Sequence, residues 1–154
     1  ALIAYFSRTG NTKKMAEYIA EGLRITGNSV DIKTISEIKN EADLQGYNGY
    51  AFGCPTYHRD MVDSMKTFLF LAQKAELEGK VGCAFGSYTH SGDAPKIIYD
   101  TMEHVFKMEM LQLGSFNLGF LEGSLEPVWK TEIEDGIIAQ RDDVFITGSG
   151  DGCH

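Results

Sequence analysis

Ala1-Leu2-Ile3-Ala4-Tyr5-Phe6-Ser7-Arg8-Thr9-Gly10-Asn11-Thr12 is the stretch that decides the fold. Its first six residues are an apolar run short enough for a buried strand. Beyond it, Met15, Ala16, Ile19, Ala20 and Leu23 recur at helical spacing, and Gly27-Asn28 marks that helix's end. The turn between strand and helix holds three hydroxyls, one amide and one glycine in six residues. A helix N-terminus leaves backbone N–H groups unpaired at the positive end of its dipole. A polar turn feeding such an end is a ready-made phosphate site. Ser7, Thr9 and Thr12 offer hydroxyls without charge, and Gly10 lets the backbone come close. A plain N-cap accounts for one such residue, not four. The turn carries neither GxxxxGK[ST] nor GxGxxG, and the GSGDG at 148–152 has no helix after it.

Outward from this turn, apolar runs alternate with helical periodicity. Val30–Ile35 alternates like a half-exposed strand, and Tyr47–Gly53 reads as a third strand. A loop from Cys54 to about Val62 precedes a helix marked by Met65, Phe68, Leu69 and Ala72. Val81–Phe85 is a fourth strand, Ser87–Asp93 a loop, and Ala94, Ile97, Ile98, Met102 and Val105 a further helical stripe with Pro95 in its first turn. A fifth strand is expected between Met110 and about Leu121, and a weak last helix over roughly Thr131–Gln140. The order reads βαβαβαβαβ with a possible final α, which predicts a three-layer α/β/α domain around a parallel sheet. One domain is expected over 1–147, with a glycine-rich flexible tail at 148–154. Ligands of such sheets bind beyond the carboxyl ends of the strands, which directs attention to three loops.

The second of these loops is Gly53-Cys54-Pro55-Thr56-Tyr57-His58-Arg59-Asp60-Met61, and the third is Gly86-Ser87-Tyr88-Thr89-His90-Ser91-Gly92-Asp93. Ser7, Thr9, Gly10, Asn11 and Thr12 match, position by position, the [ST]-x-T-G-N-T phosphate loop of the flavodoxin family, which the chain resembles through all three loops to about residue 125. In detail it is similar to short-chain anaerobe flavodoxins and to the flavodoxin domains of flavodiiron proteins. The resemblance implies a five-stranded sheet of order 2-1-3-4-5, an FMN cofactor and an electron-carrying role. It assigns the phosphate to Ser7, Arg8, Thr9, Gly10, Asn11 and Thr12. It assigns the flavin ring to Pro55, Thr56, Tyr57, His58 and Arg59 and to Ser87, Tyr88, Thr89, His90, Gly92 and Asp93. Tyr57 offers a flat face for stacking. Thr89 and His90 stand where relatives carry glycine and tryptophan. His58-Arg59 stands where relatives carry a glycine whose peptide flips, and a non-glycine residue resists positive φ there. Asp60, Asp63 and Asp93 are expected on the same rim, with helix capping as the plainer role of the last two.

The chain has 154 residues and a net charge of -8. That acidity excludes phosphate-neutralising binding of nucleic acid and suits steering toward redox partners with basic docking patches. Three cysteines without CxxC spacing, and four histidines without ligand spacing, point to no metal and to a reducing, cytoplasmic setting. No apolar run reaches membrane-span length. A monomeric electron carrier without catalytic residues of its own is the primary expectation. An FMN-dependent NAD(P)H:quinone oxidoreductase on the same fold is the alternative. A phosphate-binding signalling module and one domain of a larger flavodiiron-type enzyme are the remaining rivals.

Overall fold

The computed structural model describes residues 1–88, 92–111 and 145–147, with side chains for the first two ranges. Leu2–Tyr5 forms β1, and all four residues are buried, as a central parallel strand requires. Helix α1 (Asn11–Ile25) follows, burying Met15, Ala16, Ile19 and Ala20. Then come β2 (Asp31–Thr34), β3 (Gly49–Gly53), α2 (Asp63–Gln73), β4 (Val81–Gly86), α3 (Asp93–His104) and β5 (Glu109–Met110). The strands run parallel in the order β2-β1-β3-β4-β5. This is the expected 2-1-3-4-5 sheet.

Two apolar layers sandwich that sheet. On one face Ile3, Tyr5, Ala51, Cys83 and Phe85 pack against Met15, Ala16 and Ile19 of α1. On the other, Leu2, Ala4, Phe52 and Ala84 pack against Met65, Phe68 and Leu69 of α2 and Ile98 and Met102 of α3. The alternation of strand side chains between faces accounts for the split. Cys54 and Cys83 are free and buried, and burial pushes both thiols up to about 12.

Three features differ from the sequence reading. No α-helix joins β2 to β3; two short 3-10 segments, Ile35–Glu37 and Glu41–Leu44, take its place. Each opens with a capping box, on Thr34 and Asn40, and the stretch from Ile35 to Leu44 supplies only Ile35, Ile38 and Leu44 to the buried core. The stripe of α3 is narrower than its periodicity suggests. Ala94, Ile98 and Met102 are buried, while Ile97 and Val105 are 36% and 50% exposed. Lastly, a sixth strand, β6 (Phe145–Thr147), pairs antiparallel with Ala84–Gly86 of β4. Among the described residues strand β5 pairs only with Val81 and Gly82, which leaves the edge of β4 beyond that point to another partner. A β-rich Phe-Ile-Thr triplet takes it. The described part of the fifth strand is Glu109–Met110. The final helix expected at 131–140 and the tail at 148–154 lie outside the described residues, as do Thr89, His90 and Ser91.

Candidate functional site

The sheet ladder continues past the strand ends and sets the spacing of the three loops. Phe6 N–H donates to Gly53 O at 2.9 Å, Cys54 N–H to Phe85 O at 3.3 Å, and Thr56 N–H to Ser87 O at 2.9 Å. Gly86 allows this closeness: a Cβ there would collide with the Cys54 carbonyl oxygen and the Pro95 ring. Across the gap, the Thr12 and Ser87 hydroxyls lie 3.0 Å apart. Ser87 therefore joins all three loops, through its carbonyl to the second and its hydroxyl to the first.

Helix α1 begins without a side-chain cap. Its N-cap is Gly10, at φ 92°, a left-handed conformation natural to glycine. The Gly10 N–H donates to Ser7 Oγ at 3.1 Å, folding the turn back on itself. No hydrogen-bond partner among the described residues takes the amides of Asn11, Thr12 or Lys13. The first turn of α1 carries no acidic residue, whereas α2 opens with Asp63 and α3 with Asp93. Open amides, a positive dipole end and no carboxylate make this the place for an anion. The capping explanation for the polar turn is excluded by the missing cap bond. Thr12 is 1% exposed, and its hydroxyl is engaged with Ser87. Ser7 is half-buried, and Arg8, Thr9 and Asn11 are exposed.

In the second loop Pro55 is buried, Thr56 and Tyr57 half-buried, and His58 and Arg59 exposed. Thr56 Oγ1 accepts the Ala94 N–H at 3.2 Å and so satisfies the start of α3. Tyr57 and Asp60 exchange two backbone hydrogen bonds, of 3.0 and 2.9 Å, around His58 at φ 50° and Arg59 at φ 63°. Both central residues occupy the left-handed region that the sequence reading expected them to resist. The two-residue turn demands positive φ at both positions, and the framework imposes it. That framework includes Lys66 Nζ, 2.5 Å from Asp60 Oδ2, and the Met61 N–H donating to Asp60 Oδ1 at 2.8 Å. The Lys66 bond, with the Met61 amide behind it, holds the Asp60 carboxyl below its ordinary range. Lys66 also lies 3.6 Å from Asp63. Sequence reasoning missed Lys66: its link to Asp63 is a visible i,i+3 pair, but Asp60 sits in a loop where spacing carries no signal.

In the third loop Ser87 and Tyr88 are half-buried, and burial pushes the Tyr88 phenol up. Gly92 is the N-cap of α3 and makes Asp93 its first residue, so Asp63 and Asp93 stand one position past the caps expected of them. Asp93 Oδ2 is buried and has no hydrogen-bond partner among the described residues. A cleft of about 570 Å³ reaches Ser7 but is lined otherwise by Phe6, Ile35 and Phe68 among others and touches neither Tyr57 nor Ser87, so it adjoins the loops without forming their site. On the flank of α3, ligand atoms of Asp100, Glu103 and His104 lie within 4.8 Å of one another. They pair with Lys96 and with each other, at the helix end away from the loops.

The strand order and the acid-free start of α1 define a doubly wound α/β domain whose candidate ligand site lies at the carboxyl edge of its sheet. The family described as Flavodoxin matches residues 3–133, and this chain belongs to the flavodoxin family. A flavodoxin of Aquifex aeolicus is 48% identical over 56 residues, which are 36% of this chain and 30% of that protein. The solved structure of a flavodoxin from the domain Archaea superposes with a TM-score of 0.65 at 32% identity, covering 68% of this chain and 73% of that one. The flavodiiron protein of Giardia intestinalis shares the fold with a TM-score of 0.64 at 23% identity, over 70% of this chain and 27% of that one. The matched stretch spans less than half the length of the curated flavodoxins it resembles. FMN is the cofactor of the family. The residues present fit it: open amides for a phosphate, an aromatic ring at Tyr57, and a buried acceptor at Asp93.

Proposed function

We propose that this chain binds one FMN non-covalently and carries electrons between partner proteins. The observation that carries the reading is the junction of Ser87 and Thr56: Ser87 ties the start of α1 to the Tyr57 loop, and Thr56 ties that loop to the start of α3, all on one edge. Ser7, Arg8, Thr9, Gly10, Asn11 and Thr12 hold the phosphate; Pro55 to Arg59 flank one side of the ring, and Ser87 to His90 with Gly92 and Asp93 the other. The bound flavin supplies the redox chemistry. The chain's own part is to bind and orient it, to keep water from its inner edge and to set the local charge. The net charge of -8 favours docking on basic patches. The unit acts as a monomer in the cytoplasm, with one domain over 1–147; among the described residues no helix is long and apolar enough to cross a membrane.

Visible absorption of the purified protein, with cofactor release and mass measurement, tests the first half: an FMN spectrum at one per chain supports it, and a colourless protein that takes up no added FMN ends it. Stopped-flow mixing with NADH and no partner tests the second. Slow or no reduction supports a carrier, and rapid turnover with a quinone assigns the chain to the quinone oxidoreductases instead.

A further inference from the structure

His58 and Arg59 occupy the two-residue turn at the tip of the second loop, at φ 50° and 63°. Asparagine and glycine take such positions at least cost, because a Cβ crowds the following carbonyl there. Contacts of the side chains can offset that cost. Here they do not: both side chains are exposed, and among the described residues neither makes a hydrogen bond, an ion pair or a ring contact. The turn is held from behind instead, by the backbone bonds between Tyr57 and Asp60 and by the Asp60–Lys66 pair. Strain that no contact inside the fold offsets marks a use outside it.

Charge says what that use is. Arginine is always charged, and a free guanidinium offers paired N–H donors that match a carboxylate. The first loop adds a second cation, Arg8, whose guanidinium carbon lies 6.0 Å from the centroid of the Tyr57 ring. The nearby carboxylates, Asp60 and Asp63, share Lys66. Residues 7–12 and 54–66 are therefore cationic, with Arg8, Arg59 and Lys66 against Asp60 and Asp63, on a chain whose net charge is -8. Screening confines a charge to about 8 Å at physiological salt. The overall acidity thus acts on approach, and the tip of the loop acts in contact. We propose, on the reading that the chain carries electrons on FMN, that the His58–Arg59 tip is a docking element for an acidic contact face of an electron-transfer protein, with Arg59 pairing to a carboxylate of that face.

Cytochrome c supplies a matched pair of probes: the native protein is basic, and succinylation of its lysines makes it acidic around the same haem. Stopped-flow mixing follows the stoichiometrically reduced holoprotein as each haem takes one electron from it, for the wild type, Arg59→Gln, Arg59→Lys, Arg59→Gly and Lys80→Gln. Arg59→Gln is expected to slow transfer to succinylated cytochrome c by about threefold or more, and to leave transfer to the native form equal or faster. Arg59→Lys keeps most of the rate, because the charge stays. Arg59→Gly relieves the turn, so its urea midpoint rises while its transfer to the acidic probe slows as in Arg59→Gln. Lys80→Gln removes the same charge just before the amino end of β4, and changes either rate by less than about 1.5-fold. Equal slowing with both probes, no slowing with either, or an equal effect from Lys80→Gln overturns the proposal. So does a rapid reduction by NADPH that Arg59→Gln abolishes with both cytochrome rates intact, which gives the tip to a dinucleotide phosphate. A wild type that holds no flavin sinks the FMN reading itself, which is a separate result.

Discussion

The bond between Thr12 and Ser87 crosses from the first loop to the third, and its removal from either end has unequal consequences. Thr12 is 1% exposed, so Ser87→Ala strands a buried hydroxyl at a cost of about 2 kcal/mol. Thr12→Val keeps the volume and leaves the half-buried Ser87 hydroxyl to water, so it costs about 1 kcal/mol. The double variant strands nothing and also costs about 1 kcal/mol. Its loss therefore falls short of the two single losses together by about 2 kcal/mol. Urea unfolding of the FMN-free protein reads these values. With a slope of about 1.5 kcal/mol per molar, Ser87→Ala lowers the midpoint by about 1.3 M. Losses that add to within about 0.5 kcal/mol refute a direct bond between the two side chains.

Gly86→Ala forces a methyl against the Cys54 carbonyl oxygen and Pro95, and is expected to destabilise by about 1–3 kcal/mol and to weaken FMN binding by spreading the second and third loops; native stability and unaltered FMN affinity in a titration count against the contact. His58→Gly removes left-handed strain at φ 50° and is expected to raise the unfolding free energy by about 1 kcal/mol, while His58→Ala gives no such gain. Equal effects of Gly and Ala refute the strain argument. The thiols of Cys54 and Cys83 are raised by burial from 9.0 to about 12 in the folded chain. Stability linked to them is complete below about pH 9 and lost as pH climbs toward 12, at about 1.4 kcal/mol per pH unit for each thiol. A double Cys54→Ala, Cys83→Ala variant removes that slope; if the alkaline fall persists unchanged, it belongs to other groups.

Periodicity was enough to place the strands and helices that carry the core, because Met15, Ala16, Ile19, Met65, Phe68 and Ile98 are buried by the same pattern that makes them recognisable in the chain. It overreached at Ile97 and Val105, since a helix packed on a sheet covers a narrower arc than its apolar residues span. The absent helix between β2 and β3 left a weak trace: Ile35, Ile38 and Leu44 are too sparse for a stripe, and the capping boxes of Thr34 and Asn40 are short-range signals. Pairing of β6 with β4 depends on an edge left open elsewhere in the sheet, which no local pattern records. At the candidate site the polar turn before Asn11 was plain to read. The Thr12–Ser87 bond, the Lys66–Asp60 pair and the approach of Arg8 to Tyr57 were not, because each joins loops that only the sheet brings together.

The hydrogen bond from Thr56 to Ser87 lies one step beyond the last rung of the β3–β4 pair. The walls of the crevice thus inherit the stiffness of the sheet instead of the looseness of free loops. A ring seated between such walls finds their polar groups already aimed, so neither its arrival nor a change in its charge demands much nuclear rearrangement. For an electron carrier that is a kinetic asset: the smaller the rearrangement that accompanies each transfer, the briefer the partner contact needed to complete it.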